Sequence, residues 1–195
     1  MATLRLLFLV AASAAALQSQ QYAWEQKLPK KLPPTRYYHV MAGDDSRGRA
    51  VVFGGLSPSA GPTITWLNDT WEWDGSDWTR KTPAQSPPPR QQAAMAYDAL
   101  RREIVLFGGA EAAGFGDTWG WDGTNWSRKS PARSPPVRGG HAMAYDAARG
   151  EIVLFGGTST ADTWVWDGMD WREKTPVDKP PPRSATTMAY DAVRR

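Results

Sequence analysis

The chain is 195 residues long, carries a formal net charge of +3 and contains no cysteine. Its Lys and Arg residues are scattered, with no basic stripe to track a phosphate backbone, which argues against nucleic-acid binding. Without cysteine there is neither a disulfide framework nor thiol chemistry, so an exported form must rest on packing alone.

Residues 1–20 read as a secretory signal. Arg5 supplies the positive start, Leu6 to Ala16 an apolar core, and Ala12 to Ala16 the small residues of a cleavage site. The run is too short to span a bilayer. The expected location is secreted or periplasmic, with no membrane span once the signal is removed. Trp24 stands 12 residues before Arg36, a spacing that recurs below. Tyr22 to Leu28 therefore reads as a fourth strand without its first three, and residues 21–35 as a strand completing another sheet.

Three full units follow, over 36–89, 90–137 and 138–182. Each begins at an arginine after a Pro-rich stretch: Arg36, Arg90 and Arg138, with Arg183 opening a fourth. A Val-rich run ends at a glycine pair, Gly54-Gly55, Gly108-Gly109 and Gly156-Gly157. Asp-Thr-Trp begins at Asp69, Asp117 and Asp162, and a last tryptophan falls at Trp78, Trp126 and Trp171. From arginine to the first valine is 15 positions each time, from the Asp-Thr-Trp indole to the last Trp is 7, and from there to the next arginine is 12. Only the interval from second glycine to aspartate varies, at 14, 8 and 5. Fixed spacing with one elastic joint means packed strands joined by fixed turns, plus one surface loop of free length.

Each segment has strand character. Glu-Ile-Val-Leu-Phe is short, apolar and β-branched. Trp119-Gly120-Trp121 puts two indoles on one face, because side chains alternate along a strand. Asp122-Gly123 marks a tight hairpin turn. Trp126 opens a fourth strand, which the prolines of Ser134-Pro135-Pro136 close. The expected product is a four-stranded antiparallel sheet, the blade of a β-propeller. In such a blade the loop after strand two and the connector after strand four share one rim. The chain ends inside a fourth unit, 183–195, whose first strand, Met188 to Asp191, has no successor. Three blades with a lone strand at each end make a partial ring, the expectation for a fragment of a longer propeller.

The doubled glycine after the second strand, the aromatic third strand and the Trp opening the fourth resemble the kelch repeat. That resemblance covers about Trp24 to Tyr190. It implies an all-β, kelch-type β-propeller in which an N-terminal strand completes another blade. Propellers host many activities, so the resemblance speaks to fold more than to task.

Nine of the eleven tryptophans are in register and read as packing between blades rather than as a sugar platform. Trp66 is off register, in the longest elastic loop (Leu56 to Asn68), and is a candidate ligand contact. Arg36, Arg90 and Arg138 suit hydrogen bonding to carbonyls of a neighbouring blade. The alternative is a ring of positive charge able to hold a carboxylate, such as that of an acidic sugar. His39 and His141 occupy matching places, but no Asp, Glu or Cys stands at metal-ligand spacing, so neither a metal nor a cofactor is expected. The Asp-Gly turns need only turn chemistry, and the Tyr-Asp pairs are expected to bond nearby backbone. No catalytic triad, phosphate loop or carboxylate pair stands out.

The function expected is a protein- or glycan-binding or scaffold module acting through the variable-loop rim, with Trp66 on its edge. The alternative is a sugar-acting enzyme. A galactose oxidase-like one would need a Tyr–Cys cross-link that a chain without cysteine does not form. A mutarotase-like one would need channel acid–base groups.

Overall fold

A computed structural model describes residues 25–58, 64–157 and 161–193. The described residues form twelve strands and no α-helix. They make three separate four-stranded antiparallel sheets with neighbours in sequence order. Sheet 1 holds β1 (Val40–Asp44), β2 (Arg49–Pro58), β3 (Ile64–Trp73) and β4 (Trp78–Lys81). Sheet 2 holds β5 (Ala94–Asp98), β6 (Glu103–Phe107), β7 (Thr118–Trp121) and β8 (Trp126–Arg128). Sheet 3 holds β9 (His141–Asp146), β10 (Glu151–Gly156), β11 (Thr163–Trp166) and β12 (Trp171–Lys174).

The sheets stack through their faces. Along β6, Ile104 and Leu106 join Val51, Phe53, Trp121 and Trp126 between sheets 1 and 2. Val105 and Phe107 point the other way and join Ile152, Leu154, Trp166 and Trp171 between sheets 2 and 3. A strand buried on both faces needs an unbroken apolar run, which is why Ile104 to Phe107 carries no polar residue. Burying one indole removes roughly 150–250 Å² from water, an upper bound of about 4–6 kcal/mol at ~25 cal/mol per Å².

The glycine pairs are where one sheet meets the next. A Cβ on Gly54, Gly108 or Gly156 would lie 2.7, 2.6 and 2.7 Å from the carbonyl oxygens of Arg90, Arg138 and Arg183. All three also have positive φ, so no other residue fits there. The second glycine of each pair donates its N–H to that same carbonyl, at 2.8 Å in each of the three cases.

Several details differ from the sequence expectation. The Asp-Gly turns are not two-residue hairpins, because Trp73 pairs with Trp78, Trp121 with Trp126 and Trp166 with Trp171 across four residues. The aspartate carboxylate closes each loop by accepting two backbone N–H groups, as Asp122 does from Thr124 and Asn125. Leu56 to Asn68 is not simply a surface loop. Strands β2 and β3 pair out to Pro58 and Ile64, forming an arm that continues past the bulge at Phe53/Gly55. Its β-branched and aromatic residues Ile64, Thr65 and Trp66 favour extended backbone.

Glu25 to Leu28 belongs to no sheet; Tyr22 to Trp24 and the signal expected over 1–20 lie outside the described residues. The chain into sheet 1 behaves as the later connectors do. Lys31 N–H donates to Asp77 Oδ1 at 2.9 Å, as Ala84 does to Asn125 and Arg133 to Asp170 at 2.8 Å. Met188 to Asp191 lies beside β9 in the place of a further first strand, but joins no ladder.

Trp126 is 1% exposed and bridges two sheets, whereas its counterpart Trp78 is half-buried at the outer face of sheet 1. Trp126→Ala should therefore lower the unfolding free energy by about 3–5 kcal/mol, and Trp78→Ala by about 1 kcal/mol in dilute protein. Urea titration followed by circular dichroism measures both.

Candidate functional site

The rim that joins the loops after β2, β6 and β10 to the Pro-rich connectors is built on arginines. Arg90 Nη1 and Nη2 donate to the two carboxylate oxygens of Asp117 at 2.6 and 2.9 Å. Nη1 also donates to Gly108 O at 2.9 Å, and Nε to Pro88 O at 3.1 Å. Arg36 makes the same set with Asp69, Gly54 and Pro34, and Arg138 with Asp162, Gly156 and Pro136. The guanidinium side chains are 5%, 0% and 0% exposed. The partners lie in the arginine's own unit and in the connector just before it, not in a neighbouring sheet, and four of the five N–H donors are committed inside the fold. The backbone of the same residue makes the bond to the preceding sheet.

Each aspartate also accepts an indole N–H from the tryptophan two residues on, Trp71, Trp119 and Trp164, at 2.7, 2.7 and 2.8 Å. Burial pushes the Asp69 and Asp117 carboxyls up, but the hydrogen bonds from Arg36 and Arg90 outweigh it and hold both below the ordinary 3.8. The loop Ala110 to Gly116 is tied down. Phe115 lies over the Arg90 guanidinium at 4.0 Å, its N–H donates to Gly109 O, and its carbonyl accepts from Arg138 N. Variable loops and connectors do share this edge: Ser86 Oγ donates to Asn68 O, and Arg90 N to Leu67 O.

Trp66 stands on the arm, half-buried, paired with Leu56, which in turn exchanges both backbone hydrogen bonds with Tyr37. Residues directly opposite on neighbouring strands project to the same face. Tyr37, Leu56 and Trp66 thus form one row. The matching row in sheet 2 is Gln91, Ala110 and Gly114. Tyr37 and Tyr38 are 39% and 56% exposed and meet edge to face at 5.2 Å, and Ile64 at the arm's end is 54% exposed. The two tyrosines escape a search for repeats because they have no counterpart in the other units; that very irregularity is their signal.

His39 and His141 differ. His39 keeps an exposed side beside the arm; the partial desolvation of its ring, and then Arg36, lower its pKa. His141 is 4% exposed, edge-on to Phe107, with no hydrogen-bond partner on either ring nitrogen among the described residues. Burial and then Arg138 push it down to about 3. No group of three or more metal-ligating side chains occurs among the described residues. A groove of about 480 Å³ runs across the first strands, lined by Met95, Met143, Met188, Tyr97, Tyr145 and Tyr190. Tyr145 Oη accepts from Leu100 N and Tyr190 Oη from Ala148 N, each linking its own unit to the one before.

Arg90→Ala leaves Asp117 without its cation and should cost about 3–5 kcal/mol in a urea titration. The buried histidine sets a separate pH dependence. Its folded pKa lies below the unfolded value of 6.5, so the unfolded chain binds more protons and stability falls as pH drops below about 6.5. The slope for one such group is about 1.4 kcal/mol per pH unit. The aspartates, also depressed, add to the loss only near and below 3.8. Between pH 6.5 and 5, His141→Phe should show most of that slope removed, whatever its absolute stability; denaturation midpoints over this range measure it.

No protein-family model matches this chain, and no curated protein is significantly similar to it.

Proposed function

We propose that this chain is a secreted ligand-binding module, built as a partial β-propeller of kelch type, that takes a glycan on the rim formed by the β2–β3 arm. The blade reading draws support from three like sheets stacked in order, with β1 beside β5 and β5 beside β9. First strands that neighbour one another while the sheets stack by their faces suit blades arranged about an axis.

One observation carries the binding assignment. Where sheet 2 has Gln91, Ala110 and Gly114 across three paired segments, sheet 1 has Tyr37, Leu56 and Trp66. The outer positions of such a row are roughly 10 Å apart, two strand spacings, about the length of two sugar rings. Tyrosine and tryptophan offer a flat apolar face with a polar tip, which suits the alternating C–H faces and hydroxyls of a saccharide. Tyr38 and Ile64 widen the same exposed area. Leu56 is buried at the centre of the row, 5% exposed, but Tyr37, Tyr38, Ile64 and Trp66 belong to neither inter-sheet core, so selection for binding explains them better than selection for stability. The buried arginines support the site by position: Arg36 fixes the neck from which the arm projects, rather than touching the ligand.

A glycan screen followed by titration calorimetry tests this reading. Trp66→Ala and Tyr37→Ala should each weaken the retained glycan about tenfold or more, with the melting temperature within a degree or two of the parent. Retention of a peptide in place of any glycan, or full affinity in Trp66→Ala, would defeat the assignment.

A further inference from the structure

Two residues after the arginine of each unit the backbone turns left-handed. The φ angle is +55° at Tyr38, +55° at Gln92, +70° at Gly140 and +51° at Ala185. Glycine is the residue this conformation favours, and a bulky side chain there is an outlier. The third unit has the glycine and the fourth a bare methyl. Sheets 1 and 2 carry a tyrosine and a glutamine instead.

The fold asks for neither side chain. The bonds of this position are made by backbone alone: Gln92 N–H donates to Tyr38 O at 2.9 Å, and Gly140 N–H to Gln92 O at 2.8 Å. Gly140 makes its bond with no side chain at all. Tyr38 is 56% exposed. Gln92 is also exposed, although its first strand β5 lies between β1 and β9, with a sheet on either side. Its side chain lies beside Gly139, with Gln92 Cβ 3.5 Å from the position a Cβ there would take. Its amide makes no hydrogen bond among the described residues. Backbone held in a sparsely populated region by its surroundings, and carrying an uncommitted side chain into solvent, is a mark of a binding position.

We infer that the glycan site continues from the arm on to sheet 2, through Tyr38 to Gln92, and that its ligand is an oligosaccharide of at least three rings. This rests on the reading of the arm as a glycan platform and extends it. Tyr38 follows Tyr37, the inner end of the arm row, and meets it edge to face at 5.2 Å. One backbone hydrogen bond separates Tyr38 from Gln92, a step of about one strand spacing, roughly 5 Å. Trp66, Tyr37, Tyr38 and Gln92 therefore follow one another along the rim, inward on the arm and then sideways to the next sheet. The path is roughly 15–20 Å long, three to four sugar rings where the arm alone accounts for two. The row stops at Gln92, because in sheet 3 a Cβ on Gly140 would lie 2.6 Å from Ser184 Oγ. A primary amide has two donors and an acceptor on one planar group. It can donate to one hydroxyl of a sugar and accept from its neighbour, so Gln92 selects for a ring with two adjacent free hydroxyls at the inner end of the ligand.

The probes are fragments of one to six rings cut by partial acid hydrolysis from the glycan retained in the screen, titrated by calorimetry. For the parent chain, affinity should rise at least tenfold between two and four rings. Gln92→Gly should weaken the four-ring fragment about tenfold and leave the two-ring fragment within twofold. It should melt no lower than the parent, because glycine relieves the left-handed backbone. Gln92→Ala, which removes the amide but keeps the strain, should lose the same affinity. Trp66→Ala should weaken both fragments. Affinity that stops rising at two rings, a four-ring fragment bound equally by Gln92→Gly, or a Gln92→Gly chain that melts well below the parent would overturn this inference and leave the arm intact. A screen that retains no glycan, or full affinity in Trp66→Ala, would overturn the arm reading and this extension with it.

Discussion

The buried arginine at the head of each unit is the residue on which the architecture depends. Its guanidinium binds the aspartate before the third strand and the carbonyl at the end of the second, and its own carbonyl receives an N–H from the preceding sheet. One residue thus ties its sheet together and ties that sheet to its neighbour. Taking a guanidinium and a carboxylate out of water is costly, and the cost is offset only when both are fully hydrogen-bonded. Here the carboxylate has a second donor in the indole two residues on, and the guanidinium has two carbonyls besides. A lysine would bring one point charge to a site shaped for a planar fork.

This clamp explains why one loop is elastic and the rest of the unit is not. The arginine grips both ends of the chain at the loop's neck, Gly54 O and Asp69 in sheet 1, Gly156 O and Asp162 in sheet 3. What lies beyond the neck can change in length without disturbing the strand register below it. The interval grows to 14 in sheet 1 and shrinks to 5 in sheet 3 with no change in strand register below it. A loop freed from the demands of packing is where an arm with Tyr37, Leu56 and Trp66 can be built at little cost to the core.

The strands, their order and the two inter-sheet cores were legible in the sequence because they obey fixed spacing. The glycine pairs were legible as landmarks but not as joints: what excludes a side chain at Gly108 is a carbonyl 30 residues on, at Arg138, and no local pattern announces it. The Arg–Asp pair was hidden for the opposite reason. Both residues recur in every unit, but the elastic loop lies between them, so their separation runs 33, 27 and 24, and a search for constant intervals passes over it. The candidate site fared likewise. Trp66 was visible as an indole out of register, whereas Tyr37 became meaningful only once Leu56 was seen to bridge the two. A row across three segments is a property of pairing, and pairing is not written at any single position.

Sheet 2 differs from its neighbours in a way that follows from position alone. Every residue of β7 is buried, and all of β6 but its first, whereas β4 of sheet 1 has no buried residue and β10 of sheet 3 leaves two of its six half-buried. In stacked repeats stability is roughly the sum of each unit and its interfaces, so a unit with one neighbour is weaker than one with two. The end sheets therefore hold apolar and indole surface that the middle sheet has already removed from water. Terminal repeats usually answer this with a polar outer face. Sheet 1 instead keeps the tryptophan pair in the geometry used inside the stack, and in sheet 3 Arg149 keeps its bond to Asp146 with its side chain 62% exposed.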